Sequence, residues 1–157
     1  MKTKKLLSIL VLILIISIAY GSYNIALNDF TLSDKNYSYL GGLTWNRSLD
    51  KGFQMAQEQN KPIAVYFWAI WCQYCAGFQA NTLGNPEVNK ILREDYVLVA
   101  MDLDIDRDVA QKYGVSYPPY VLFLDGNDTV LQRVAGAVDA NTFLPIVKDV
   151  RDQVRRK

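Results

Sequence analysis

The sequence contains no histidine, only two cysteines and almost no net charge. The absence of histidine removes the most common metal ligand and the usual general base. A net charge of +1, with no basic stripe away from the termini, gives no footprint for nucleic acid, so we expect no nucleic-acid partner. Two cysteines are too few for a disulfide-rich scaffold. A 157-residue chain that is 50% hydrophobic can build the core of one domain without disulfides.

The first residues are predicted to lie outside the globular fold. "MKTKK" precedes an uncharged, mostly apolar run from Leu6 to Leu27, which is typical of an export signal or a membrane anchor. The run is long enough to span a bilayer, and Tyr20 and Tyr23 suit an interfacial position, which favours an uncleaved anchor over a cleaved signal peptide. Either segment leaves the lysines inside, so residues 28–157 are expected outside the cytoplasm, at the cell membrane or secreted.

The remaining chain divides into a polar lead-in and a domain. We predict a signal anchor or signal peptide at 1–27, a linker at 28–44 and one globular domain at 45–157. Three Asn-x-Ser/Thr sequons are compatible with export, although the pattern also arises by chance. They begin at Asn36, Asn46 and Asn127.

Hydrophobic patterning predicts alternating helices and strands across the domain. Strands are predicted at the apolar runs "KPIAVYFWAI", "YVLVAMDLD", "PPYVLFL" and "TVLQRVAG". Helices are predicted after Ser48, from near Cys72, after Asn85, before Gly114 and from Asp139 to Val154. Pro145 requires the last helix to start late or to kink. This order predicts an α/β fold with a parallel core, and an Asp125–Gly126 turn adds an antiparallel hairpin.

Both cysteines lie in "FWAIWCQYCAGF", at the end of an apolar run. A structural disulfide between Cys72 and Cys75 would close a very short loop and add little stability. Two thiolates supply half of a zinc site, which needs a carboxylate or a second chain to complete it. A redox centre needs no further group, because a helix N-terminus stabilises a Cys72 thiolate and Cys75 can resolve a mixed disulfide. We therefore favour the redox interpretation.

Two stretches resemble the thioredoxin-like family. "FWAIWCQYC" is similar to the family's active-site stretch, and "KYGVSYPPYVLFLDG" is similar to its second signature, where a cis-proline faces the dithiol. "SLDKGFQMAQEQNKP", "NPEVNKIL" and "VAGAVDANTF" look most like the branch formed by the C-terminal domain of the thiol:disulfide interchange protein DsbD and its stand-alone relatives. The resemblance covers about Trp45 to Val154. It implies the thioredoxin fold, a central mixed β-sheet with helices on both faces, here preceded by one N-terminal hydrophobic helix.

The resemblance also implies roles for individual residues. Cys72 matches the exposed nucleophile and Cys75 the buried resolving thiol. Trp71 matches the tryptophan that packs beside the pair. Pro119 matches the cis-proline that aligns a substrate, and with Tyr120 it is expected to flank the substrate groove.

Several positions depart from the family pattern. Tyr66 stands where a buried aspartate usually helps to move the proton of the resolving thiol. Ile70 and Met101 replace the acidic residue and the lysine that often accompany it. The dipeptide Gln73–Tyr74 between the cysteines is neither the Gly-Pro of thioredoxin nor a histidine-bearing oxidase dipeptide. Fewer nearby negative charges favour the Cys72 thiolate and a more oxidising disulfide, so the direction of electron flow stays open.

The function predicted from these features is thiol–disulfide exchange on proteins outside the cytoplasm, with no cofactor. We expect a protein-disulfide reductase that acts on protein disulfide or dithiol substrates. The apolar N-terminal segment has no cysteine and cannot carry electrons, so a polytopic membrane protein is the expected electron donor. The alternatives are a disulfide-donating oxidase and a membrane-tethered binding or assembly module with incidental redox activity.

Overall fold

The computed structural model describes residues 11, 13–17 and 37–156. The chain divides into two units, residues 1–36 and 37–157. In the first unit the described residues are helical. Of the helices described, none is long and apolar enough to cross a membrane. The anchor predicted at 1–27 lies largely outside the described residues.

A six-stranded mixed sheet organises the second unit. The strand order is β1-β2-β4-β3-β5-β6, in which β4 runs parallel to β2 and β3 and the other neighbouring pairs are antiparallel. The four predicted strands are present, and two further strands precede them. The bounds are β1 Tyr37–Leu40, β2 Leu43–Asn46, β3 Ile63–Trp68, β4 Val97–Asp102, β5 Tyr120–Leu124 and β6 Val130–Ala135.

Five α-helices and one π-helix connect and cover the strands. The predicted caps are confirmed: Ser48 accepts from the N–H of Lys51, Asn85 accepts from two amides, and Gly114 ends a helix in the left-handed conformation. Each cap satisfies backbone groups that a helix end leaves unpaired. The α-helices are α1 Leu49–Gln59, α2 Gln73–Phe78, α3 Pro86–Asp95, α4 Arg107–Tyr113 and α5 Ala140–Arg155, and the π-helix Gln79–Leu83 follows α2.

Pro145 lies inside α5 rather than at its start. The late start that we considered is wrong, because the helix begins at Ala140, where Asp139 accepts from the N–H of Thr142. A proline in the second helical turn removes only one backbone donor and leaves the cap intact. The cap therefore decides where this helix begins.

The segment predicted as a linker at 28–44 differs from that expectation over its last residues. β1 and β2 form an antiparallel hairpin there, and β2 pairs with β4, which leaves β1 at the edge of the sheet. Trp45 of β2 is fully buried and donates its indole N–H to the carbonyl of Leu40, at 2.9 Å. Because β1 is an edge strand with one face in solvent, its sequence lacks the apolar run that predicts a buried strand.

The hairpin turn packs tightly on the π-helix. Gly41 has a φ of +61°, and a Cβ at this position would lie 2.6 Å from the Cβ of Leu83. We expect Gly41→Ala to lower the free energy of unfolding by about 2–4 kcal/mol, through left-handed strain and overpacking together. Gly114→Ala is the matched control, since Gly114 has a φ of +70° and nothing within 4 Å of its Cβ position. If urea unfolding gave the same loss of unfolding free energy for Gly41→Ala and Gly114→Ala, overpacking against Leu83 would not contribute to the effect.

Two apolar cores lie on the two faces of the sheet. Side chains of α2, α3 and α5 pack on one face with Ala64 and Tyr66 of β3. Side chains of α1 and α4 pack on the other with Ile63, Val65 and Phe67. β3 is therefore buried on both faces, as its continuous apolar run predicted. Because both faces of β3 are packed, the residues that follow Trp68 begin from a fixed position.

Candidate active site

The two cysteines follow the carboxyl end of β3. The chain leaves the sheet after Trp68, whose carbonyl accepts from the N–H of Leu103, and Ala69 is buried. The N–H of Cys72 then donates to the carbonyl of Ala69 at 3.1 Å, and Cys72 caps α2. Ile70, in the intervening turn, is exposed. The predicted helix start near Cys72 is confirmed.

Cys72 and Cys75 form a disulfide at the first turn of α2. Cys72 is 8% exposed and Cys75 is 1% exposed, so Cys72 is the more exposed of the two cysteines. The N–H of Cys75 donates to the Cys72 sulfur at 3.1 Å. After reduction the same N–H points at the sulfur that would carry negative charge, which stabilises a thiolate.

Trp71 is exposed and fixed by a carboxylate. Its indole N–H donates to Asp104 Oδ2 at 2.8 Å, and the N–H of Asp104 donates to Asp102 Oδ1 at 2.9 Å. The N–H of Asp102 donates in turn to Asp106 Oδ2 at 2.7 Å. Burial raises the pKa of Asp106 above its ordinary value. Sequence reasoning missed Asp104, although alternating aspartates after a buried strand that neighbours β3 were a usable signal.

The loop before β5 lies beside the end of β3. Phe67 pairs with Tyr120, so Pro119 neighbours the last residues of β3. The peptide bond between Pro118 and Pro119 is cis, and Pro119 is buried with its carbonyl accepting from the N–H of Gly136 at 2.9 Å. Tyr120 is half-buried, and its ring meets that of exposed Tyr117 edge-on, with centroids 6.5 Å apart. Tyr117 was not among the predicted site residues.

Tyr66 is fully buried on the face of β3 that carries α2. Its ring contacts Trp45 and Phe78, with centroids 5.6 and 5.8 Å away, and its hydroxyl accepts from Gln79 Nε2 at 3.2 Å. Burial raises the pKa of Tyr66 to about 12. The side chain is therefore neutral at physiological pH. No hydrogen bond joins it to Cys75 in the part of the chain that the structure describes.

The raised pKa of Tyr66 predicts a loss of stability in alkali. The pKa of Tyr66 is about 12 in the folded protein and 10.0 ordinarily, so the folded state favours the neutral phenol. The stability that this preference contributes is fully present below pH 10 and is lost as pH rises through 12. The difference corresponds to about 2–3 kcal/mol. We expect Tyr66→Phe to flatten the decline in unfolding free energy measured with urea across this range. Burial also raises the pKa of Tyr96, so some decline remains; an unchanged slope would contradict the prediction.

Gln73 and Tyr74 are exposed on the first turn of α2. They line a groove of about 290 Å³ with Val138 and Asp139. On the Trp71 side a second groove of about 500 Å³ is lined by residues of the loops after β4 and α4, among them Leu103, Asp104, Val115 and Ser116. The predicted site residues therefore gather at one end of the sheet, except that Tyr66 lies beneath α2.

A metal centre finds no support in the described residues. Within that part of the chain, no group of three or more histidine, cysteine, aspartate or glutamate side chains is placed to hold a metal ion.

Comparison with known proteins places this geometry in a family. The family model described as "Thioredoxin-like domain" matches residues 49–151. The thiol:disulfide interchange protein DsbD of Pseudomonas fluorescens is 31% identical over 102 residues, which are 61% of this chain and 17% of that protein. DsbD of Escherichia coli is 32% identical over 100 residues, 60% of this chain and 18% of that protein. The chain thus spans less than a fifth of the length of these curated relatives.

Solved structures show the same fold. A thioredoxin from Thermus thermophilus has a TM-score of 0.61 at 24% identity, covering 66% of this chain and 84% of that one. The oxidised C-terminal domain of DsbD from Neisseria meningitidis has a TM-score of 0.55 at 24% identity, covering 64% of this chain and 91% of that one. The predicted thioredoxin fold is confirmed. The chain belongs to the thioredoxin-like family and carries a Cys-x-x-Cys pair at Cys72 and Cys75.

Proposed function

We propose that the protein is a protein-disulfide reductase that acts outside the cytoplasm. The observation that carries the proposal is the Cys72–Cys75 pair at the start of α2, with Cys72 the more exposed residue and the N–H of Cys75 directed at its sulfur. A thiolate is the attacking species in disulfide exchange, and a donor aimed at the sulfur favours the thiolate, so this geometry supports attack by Cys72, while the net direction of electron flow depends on the reduction potential of the pair. The similarity to DsbD, whose name describes thiol:disulfide interchange, supports the same chemistry.

The proposed reaction moves two electrons from the dithiol to a substrate disulfide. The Cys72 thiolate attacks one substrate sulfur; the substrate S–S bond breaks, and its other sulfur leaves as a thiolate that takes up a proton. Cys75 loses its proton to solvent and attacks the Cys72 sulfur, which releases the second substrate sulfur and forms the Cys72–Cys75 disulfide. In this proposal Trp71, Pro119 and Tyr120 flank the approach of the substrate to Cys72, and Gln73 and Tyr74 follow Cys72 on the first turn of α2.

The proposed location is the outer face of a membrane, with the apolar segment at 1–27 as anchor and 45–157 as the catalytic domain. The basic start and the long uncharged run of the sequence support this. Continuous turnover then needs a reductant. We propose a polytopic membrane protein that passes electrons from the cytosol to the Cys72–Cys75 disulfide.

A disulfide-donating oxidase is the second candidate, and Tyr66 favours it. A neutral phenol in place of a buried carboxylate removes negative charge beneath α2, which stabilises the Cys72 thiolate and the reduced state. A pair that prefers the reduced state oxidises its partners.

The reduction potential of the Cys72–Cys75 pair separates the two candidates. We would equilibrate the full chain in detergent with glutathione and dithiothreitol buffers and count free thiols, which report this pair alone because the chain has two cysteines. A potential near that of thioredoxin, roughly −270 mV, is expected for the reductase. A potential near that of DsbA, roughly −120 mV, would overturn the reductase in favour of the oxidase.

A further inference from the structure

One of the three Asn-x-Ser/Thr sequons lies on an exposed turn. The turn between β5 and β6 contains Asn127, Asp128 and Thr129, a match to the motif with no proline in the middle. Asn127 and Thr129 are both exposed. In the part of the chain that the structure describes, the side-chain amide of Asn127 and the hydroxyl of Thr129 have no hydrogen-bond partner. The two groups that define the motif are therefore open to an enzyme.

The main chain of this turn is held by the rest of the domain. Asp125 Oδ1 accepts from the N–H of Asn127 at 2.9 Å and from the N–H of Thr129 at 3.0 Å. The carboxylate of Asp128, between them, accepts from Lys112 of α4 at 2.6 Å. The turn thus presents its two exposed residues in one arrangement, so an enzyme that binds them has little chain to order.

The other two sequons are placed differently. Asn46 lies on β2, is 8% exposed, and donates its side-chain amide to the carbonyl of Leu98 at 3.1 Å. A sugar on this nitrogen would break that hydrogen bond and bring polar hydroxyls into the packed interior. Asn36 lies outside the described residues. Folding therefore closes Asn46 to modification and leaves Asn127 open.

A polar groove adjoins Asn127. The groove has a volume of about 420 Å³ and is lined also by Gln57, Asn60 and Lys61, at and just after the end of α1. Side-chain amides and the lysine ammonium donate hydrogen bonds, which the hydroxyl groups of a sugar can accept. A first sugar on Asn127 would therefore have both room and polar partners beside the turn.

The turn lies at the end of the sheet opposite to the disulfide. β5 runs antiparallel to β3, and its last residue, Leu124, pairs with Ile63, the first residue of β3. Cys72 follows the other end of β3. A group attached at Asn127 therefore leaves the approach to Cys72 open.

We infer that Asn127 is an N-glycosylation site, modified by a transferase that takes its sugar from a lipid-linked sugar phosphate. The amide nitrogen of Asn127 attacks the anomeric carbon of the sugar. A C–N bond forms, the C–O bond to the phosphate breaks, the lipid phosphate leaves, and the amide gives up one proton. The inference goes beyond the proposed reductase reaction, and it rests only on the proposed location outside the cytoplasm.

The test is mass spectrometry of the full chain purified from the cells that naturally produce it. Trypsin cleaves after Lys112 and Arg133 and releases residues 113–133, which contain only this sequon. We expect this peptide to carry the added mass of at least one sugar. Asn127→Gln should lose the added mass completely, and so should Thr129→Val, which replaces the hydroxyl with a methyl group. Thr129→Ser is the matched control, because it keeps the hydroxyl and should keep the sugar.

The outcomes separate this inference from the location on which it rests. A membrane-impermeant maleimide, added to intact cells after mild reduction, tests the location by labelling Cys72. With Cys72 labelled, an unmodified mass for residues 113–133, or a sugar on Asn46 instead, would overturn the inference alone. The same loss in Thr129→Ser as in Thr129→Val would also overturn it, since the motif accepts either hydroxyl. Without the label, the proposed location would fall together with the inference.

Discussion

Cys75→Ser is expected to convert the protein into a trap that stays covalently bound to its substrate. With Cys72 intact, the attack on a substrate disulfide still occurs and the mixed disulfide still forms. The buried sulfur that would displace the substrate is gone, so the adduct persists. Non-reducing gel electrophoresis with a disulfide-bonded model peptide should show a one-to-one adduct that dithiothreitol removes.

Cys72→Ser is the matched change at the exposed sulfur and should abolish exchange. A serine hydroxyl does not ionise near neutral pH, so we expect turnover to fall by at least about a thousandfold with no adduct. Cys75 is 1% exposed and has no route to a substrate in the folded protein. An adduct in Cys72→Ser but not in Cys75→Ser would reverse the proposed roles of the two sulfurs.

Phe143→Ala is expected to destabilise the domain by about 3–5 kcal/mol and to loosen the active-site helix. Phe143 of α5 is fully buried, meets Phe78 of α2 edge-on with centroids 5.5 Å apart, and contacts Phe123 of β5 at 6.0 Å. Truncation leaves a cavity directly beneath the helix that carries the cysteines. Urea unfolding of the oxidised protein measures the loss.

Phe143→Leu is the control for this prediction. Leucine keeps most of the apolar volume and should cost clearly less than alanine, although it loses the edge-on aromatic contact. A cost for Phe143→Ala below about 1 kcal/mol would mean that neighbouring side chains of α5 refill the space. That result would refute the prediction that α2 depends on the contact between Phe78 and Phe143, because the helix would stay packed without it.

Local sequence determined the parts of the fold that were predicted correctly. Caps at Ser48, Asn85 and Gly114 act within one helical turn, so the residues that define them stand together in the sequence. The same holds for Cys72 as the first residue before α2, and for the buried run of β3. In each case the signal and its structural effect lie a few residues apart.

Contacts between distant residues account for what sequence reasoning missed. The β1–β2 hairpin is held by pairing of β2 with β4, which no pattern within residues 37–46 reveals. Asp104 reaches Trp71 only because parallel pairing sets the ends of β3 and β4 side by side. Gln79, the first residue of the π-helix, reaches Tyr66 because the end of α2 packs on the face of β3 that carries Tyr66. These partners depend on the topology, so they require the folded chain.

The position of β3 also determines where the molecule can open. β3 is hydrogen-bonded to β4 along its whole length and to β5 over all but its last residue. Its amide hydrogens should exchange with solvent only when the whole domain unfolds, whereas we expect the amides of the exposed residues Ile70 and Trp71, in the turn that follows, to exchange through local opening. We expect the Cys72 sulfur to meet a partner through this local opening, while the strand behind it stays closed. The reactive cysteine therefore lies a few residues from the most protected strand, and its reaction does not require that strand to unfold.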